Sequence, residues 1–207
     1  MTLSIEEDRS LQKGTSLLEL LVVLALIGIF LLVLSADLSG SVRRKDFELF
    51  AREVTSMLER SRWKALNERR YSGIVFNFQN GRYYASLHAD GNGNGIRTAE
   101  VRSGIDPLIE PSTELTRSAQ DIHAGILSST IPQIPPRTGV IPQPNDPIKF
   151  GRADIISFSP MGDSSSGTLY LACTSQKEMY AIVIYGATAR MNVWRFRNYQ
   201  WQMVGDR

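Results

Sequence analysis

The chain has a single cysteine, Cys173, and only two histidines, His88 and His123, among 207 residues. One cysteine cannot close an intramolecular disulfide, so a disulfide-stapled secreted scaffold is excluded. No GxSxG, HExxH, Walker A or CxxC pattern occurs. With so few histidines and no such motif, the sequence offers no nucleophile–base pair and no His/Cys metal-ligand spacing, and the expectation is a non-enzyme without a cofactor. Charge of one sign is also lacking: 23 Lys+Arg against 21 Asp+Glu leave a net charge of +2, which gives no global pull toward nucleic acid or an anionic surface. Proline is missing before Pro107, and an apolar content of 43% excludes wholesale disorder. The mean hydropathy of -0.14 suggests an ordinary soluble protein, but it averages two unlike parts.

Residues 17–34 read LLELLVVLALIGIFLLVL, with Glu19 the only charge and no proline. Extended to 15–36 the run would make about 33 Å of helix, enough for a hydrocarbon core of about 30 Å. It is apolar all round, whereas a core helix of a globular protein keeps a polar face. It exceeds the usual apolar stretch of a secretory signal peptide, and no small-x-small cleavage site follows it directly, although Leu34-Ser35-Ala36 is weakly similar. The expectation is a retained transmembrane helix over 15–36. A carboxylate inside such a helix costs about 2–3 kcal/mol near the bilayer centre. Glu19 is therefore either a functional residue awaiting a cationic partner or a carboxylate at the interface, near the positive end of the helix dipole.

The stretch from Lys13 through Gly14, Thr15 and Glu19 to Gly28 resembles the leader motif of type IV pilins and type II secretion pseudopilins. The resemblance implies a leader peptide at 1–14, cleavage between Gly14 and Thr15 by a prepilin peptidase, methylation of the new amino terminus at Thr15, and an assembly role for Glu19 at the fifth mature position. It departs from the family at Thr15, where phenylalanine is usual. Cleavage would create a charged α-amino group, and a neighbouring subunit's Glu19 could meet it, turning two charges that are costly alone in lipid into a register-setting pair. Removing 1–14 takes away Arg9 and Lys13 against Glu6, Glu7 and Asp8, which moves the formal charge from +2 to +3. Arg43, Arg44, Lys45 and Arg52 after the run outnumber Arg9 and Lys13 before it, so the positive-inside rule would place the C-terminal part in the cytoplasm. The resemblance implies the opposite placement, in the periplasm, since the leader must face a peptidase on the cytoplasmic side.

From Phe47 onward, Phe50, Ala51, Val54, Met57, Leu58, Ala65 and Leu66 recur at spacings of three and four, which predicts an amphipathic continuation of the helix over 37–70. Asn80-Gly81 between two aromatic-rich runs predicts a hairpin. Asp90, Asn92 and Asn94 in the run DGNGNG place oxygen ligands at alternate positions, as at the start of a calcium loop, but the twelfth position is Val101, with Glu100 one short. The alternatives are a weak calcium site and a Gly/Asn-rich turn. Residues 104–149 hold eight of the nine prolines and read as a surface loop that adds little core. Short strands are expected over 155–158, 168–173, 179–185 and 191–196, forming an antiparallel meander.

Phe158 to Gly162, Gly167 to Leu171, Tyr180 to Tyr185 and the turn from Gly186 to Arg190 resemble the GspH/FimT-type domain. The expected fold is α+β and pilin-like, with a long N-terminal helix packed on an antiparallel β domain over 71–207. The resemblance implies a minor pseudopilin of the periplasmic pseudopilus of a type II secretion system. It would be held in the inner membrane as a single-pass protein, with other pseudopilins or pilins, the peptidase/methyltransferase, the inner-membrane assembly platform and the lipid bilayer as partners. The alternative is a FimT-like minor pilin serving type IV pilus assembly or DNA uptake. For DNA, Arg190, Arg195 and Arg197 are the candidate contacts, interleaved with Trp194, Tyr199 and Trp201. Of the Gly-Arg-x-Arg turn usual in that family only Arg190 is kept. Alternating Trp194/Phe196 and Arg195/Arg197 also reads as an edge strand with one wet face, and that reading outweighs DNA contact.

Overall fold

The computed structural model describes residues 16–206, with the side chains of 32–43, 120 and 206 left out. The described part is α+β, as expected. It divides into two compact units, parted between Arg43 and Arg44.

Helix α1 spans Leu17–Glu68. Its first intrahelical bond runs from the Leu20 N–H to the Ser16 carbonyl at 3.1 Å, so Ser16 stands where helix caps stand, with its own carbonyl already in the ladder. In the first unit the apolar side chains from Leu17 to Leu31 are exposed on every side. Among the described residues no helix is long and apolar enough to cross a membrane; within the first unit the described side chains end at Leu31.

In the second unit α1 buries most of the stripe read from the sequence, Phe47, Phe50, Ala51, Val54, Met57, Leu58 and Ala65, with Leu66 half-buried. The helix ends where Arg69 turns left-handed at φ 53. The chain then forms β1 (Ser72–Gln79) and β2 (Arg82–Ala89). Their turn has positive φ at both Asn80 and Gly81, the type I′ geometry that matches strand twist and that this dipeptide favours. A short α2 (Thr98–Ser103), β3 (Leu108–Glu114), β4 (Thr116–Arg117), β5 (Ile122–Ala124), β6 (Ile148–Lys149) and β7 (Ile155–Phe158) follow. A meander of β8 (Gly167–Cys173), β9 (Glu178–Tyr185), β10 (Arg190–Arg197) and β11 (Gln200–Asp206) closes the chain. Two sheets result: β3-β2-β1-β7, and β11-β10-β9-β8-β5-β4 with β6 paired to β8.

One core joins the buried face of α1 to an inner face of each sheet, through residues such as Ile74, Leu87, Ile156, Leu169, Leu171 and Ile182. The larger sheet is also covered on its other face, where Tyr170, Ala172, Met179, Ala181, Phe196 and Trp201 meet Ile131, Ile134 and Ile141. Burial on both faces explains why β8 and β9 read as nearly unbroken apolar runs.

The structure differs from the sequence reading in three places. Residues 104–149 hold four strands, and their proline-rich part builds core: isoleucines between the prolines cover the sheet, and the Trp201 indole N–H donates to the Pro132 carbonyl at 2.8 Å. The prolines fix backbone shape and the isoleucines supply the apolar surface, so a polar-looking composition still packs. Second, β10 is not an edge strand, because β11 pairs with it from Asn192 to Arg197. Third, the strand expected at 155–158 forms but leaves the meander: β7 pairs with β1 in the smaller sheet.

Candidate functional site

Among the amino-terminal candidates, Gly14 and Thr15 lie outside the described residues. Glu19 lies in the first turn of α1 and is exposed. A carboxylate there meets the partial positive charge of the unpaired N–H groups. Around it Leu17, Leu18, Leu20, Leu21, Val22 and Val23 present an uncovered apolar surface.

Asp90, Asn92 and Asn94 come together in the turn after β2, with a fourth oxygen-bearing residue from α2. Asp90 is 3% exposed. Its carboxylate accepts backbone N–H groups from Asn92 (3.0 Å), Gly93 (2.7 Å) and Gly95 (2.7 Å). Burial alone would raise its pKa, but these N–H donors outweigh it and hold the carboxyl below its ordinary value. The side-chain amides of Asn92 and Asn94 both donate to Glu100 Oε1, at 3.1 and 2.8 Å. Asp106, also buried, accepts from the N–H groups of Gly91 and Arg97. Apart from Glu100 Oε2, which is buried without a hydrogen-bond partner, the acid oxygens described here bind backbone and amide donors, as in a Gly/Asn-rich turn. Among the described residues no group of three or more His, Cys, Asp or Glu could hold a metal ion.

The basic strand is organised by a residue that the sequence reading missed. Glu178, at the start of β9, is 4% exposed. Its Oε2 accepts from Arg195 Nη2 at 2.6 Å and Nε at 3.1 Å, and its Oε1 lies 3.2 Å from Arg197 Nε. The register sets Arg195 opposite Tyr180, and the guanidinium rests 5.7 Å from that ring's centroid. Two of the three DNA candidates thus converge on one buried carboxylate, while Arg190, at the opposite end of β10, is exposed. The signal for Glu178 was available: a lone carboxylate opening an apolar strand, one hairpin away from arginines at alternate positions.

His88 and Cys173 are occupied structurally. His88 Nδ1 lies 2.9 Å from the Asp106 carbonyl and its Nε2 3.1 Å from Ser86 Oγ. Cys173 is fully buried in β8, within the core shared with α1.

Residues 9–35 match the family described as "Prokaryotic N-terminal methylation motif". No curated protein and no solved structure matches the chain. The matched segment contains Gly14, Thr15 and Glu19, and the chain thus carries a prokaryotic N-terminal methylation motif, consistent with the type IV pilin and pseudopilin-like proteins.

Proposed function

We propose that this chain is a minor pseudopilin, a non-catalytic structural subunit of the periplasmic pseudopilus of a type II protein secretion system. The observation that carries the proposal is the methylation motif over 9–35, with Glu19 five positions after Gly14 and an antiparallel β domain following the helix. In this reading a prepilin peptidase cuts after Gly14, Thr15 becomes the methylated amino terminus, and residues 15–36 cross the inner membrane once, with the β domain in the periplasm. The exposed apolar side chains from Leu17 to Leu31 are what a lipid-facing or neighbour-facing helix requires. Glu19 would pair with the α-amino group of an adjacent subunit, since each charge is unfavourable alone in hydrocarbon.

Intact mass and amino-terminal sequencing of protein extracted from membranes test this. A methylated Thr15 start is expected; an intact Met1, or a start near residue 37, overturns it. Glu19→Leu is expected to be cleaved normally yet enter the assembled filament poorly, and normal incorporation would remove the pairing role. A reporter enzyme fused to the C-terminus is expected to be active only in the periplasm. The related reading, a FimT-like minor pilin of a type IV pilus, draws on exposed Arg190 and on Tyr199, which is 85% exposed. Deleting the gene separates the two: loss of protein secretion with intact pili supports the first, and loss of pili or of DNA uptake supports the second.

A further inference from the structure

A groove of about 680 Å³ crosses the outer face of the larger sheet, between the proline-rich loop and the β9–β10 turn. Its volume falls within the roughly 300–1,000 Å³ of ordinary ligand sites. The other strong candidates are mostly engaged from within, Glu100 Oε2 in the Gly/Asn loop being buried without a hydrogen-bond partner. The cleft beside α1 is lined by Glu48, Arg52 and Arg195, which form ion pairs with one another or with Glu178. The acids of the Gly/Asn loop hold backbone and amide donors.

The groove is preformed. Its loop wall is pinned by the Trp201–Pro132 bond, by Gln133 N–H to the Gly139 carbonyl (2.9 Å), and by Ile141 N–H to the Ile131 carbonyl (2.9 Å). Pro135, Pro136 and Pro142 stiffen the same wall. A binding partner would therefore bear little of the ordering cost.

Its charge is one-sided. No carboxylate lines it, and its two cations are Arg137 and Lys149. The Lys149 ammonium is held by Asp146 Oδ2 at 3.1 Å and the Gln143 carbonyl at 2.9 Å. Arg137 is exposed, and among the described residues no carboxylate lies within ion-pair distance of it. Neutral donors line the floor. Ser166 Oγ accepts the Gly186 N–H at 2.9 Å, which leaves its own proton to give. Burial raises the Tyr170 phenol, which keeps it protonated and able to donate. Between these groups the walls are apolar, with Pro136 and the exposed ring of Tyr185 among them.

We propose that this groove binds a short, extended acidic peptide segment of another protein, with a carboxylate on the Arg137 guanidinium and a neighbouring apolar side chain laid between Pro136 and Tyr185. A planar fork of donors suits a carboxylate. The apolar walls favour a peptide over a free anion, because an ion alone would leave them wet. This site is independent of the amino-terminal processing proposed above, so either can fail without the other.

The full-length protein in detergent micelles would be titrated, by fluorescence anisotropy at physiological salt, with a labelled octapeptide of alternating Glu and Tyr. An octapeptide of alternating Lys and Tyr serves as the control. The acidic peptide is expected to bind, and the basic one at least about tenfold more weakly. Arg137→Glu is expected to abolish binding, Arg137→Ala to weaken it about tenfold, the value of one charge-assisted contact, and Tyr185→Ala to weaken it about tenfold through lost apolar packing. Both side chains are exposed, so the melting temperature should not move. Equal binding of the two peptides, or unchanged binding by Arg137→Glu, overturns the proposal. So does Arg137-dependent binding of an acidic oligosaccharide such as oligogalacturonate in place of the peptide.

Discussion

Replacing Glu178 by glutamine keeps the side chain's size and removes its charge beneath two guanidinium groups. Breaking a fully buried ion pair by removing one partner costs about 3–5 kcal/mol. Here the Arg195 side chain is 22% exposed and that of Arg197 41%, so water recovers part of the loss. The Arg197 contact then contributes about 0–1 kcal/mol, as surface pairs do. The Arg195 contact, two N–H groups on one buried oxygen with Tyr180 beneath, carries most of the remainder, for a total of about 2 kcal/mol. For a domain of this size that corresponds to a fall in melting temperature of about 4–8 °C. Near-UV circular dichroism of Trp63, Trp194 and Trp201 in detergent-solubilised protein would follow the transition. In an Arg195→Met background the same substitution should cost far less, because the cycle isolates the pair. A change below about 0.5 kcal/mol in the wild-type background would refute the view that Glu178 organises this end of the sheet. The DNA reading is tested in the same experiment. If Glu178 restrains the two arginines, Glu178→Gln should bind DNA more tightly than the wild type at low salt.

Other consequences are simpler. Trp201→Phe keeps most of the ring packing but loses the bond to Pro132, and should destabilise the fold by about 1 kcal/mol; Trp201→Ala should cost about 3–5 kcal/mol and expose residues 126–147 to limited proteolysis. A Cβ at Gly91 would lie 1.9 Å from the Ile105 carbonyl oxygen, so Gly91→Ala must move the Gly/Asn loop, read as a drop in melting temperature and in amide-exchange protection there. Asp90 has a lowered pKa in the folded protein. Its contribution is fully present above the unfolded value near 3.8 and is lost as pH falls through the lower folded value. Urea midpoints should therefore fall in acid below about pH 4, and less steeply in Asp90→Asn.

Periodicity carried much of the fold. The α1 stripe, the Asn80-Gly81 hairpin and the meander strands each follow from local spacing, and each lies where its pattern put it. What escaped depends on distant chain. The proline-rich segment looked unable to pack because its isoleucines are sparse, and only the outer face of the larger sheet, formed by residues 167–206, gives them a surface to cover. β11 was hidden because QWQMVGD has one strongly apolar inward residue, Trp201, and its remaining pattern reflects an edge. Calcium-like spacing in DGNGNG was legible, whereas the use of its oxygens was not. The N–H groups that fill Asp90 belong to glycines and asparagines that a motif reads merely as spacers.

The arginines of β10 show most clearly why composition stops short of function. Arg195 and Arg197 sit at alternate positions, so strand parity puts both on one face. The sequence leaves open which face that is. A solvent face makes them a phosphate-binding ladder, and an inner face makes them the counter-ions of a buried acid. Pairing of Arg195 with Tyr180 decides it, because Tyr180 shares the core with α1 while Trp194 and Phe196 take the opposite face against the proline-rich loop. A one-residue slip would invert the assignment and bury two guanidinium groups among Ile131, Ile134 and Ile141, with no carboxylate within reach. Glu178 therefore does more than neutralise charge: only in the observed register do both arginines find it, so the ion network and the apolar pattern select the same pairing. By the same logic, Glu178 competes with any phosphate for Arg195 and Arg197, and Arg190 is the member of the basic set at the far end of the strand.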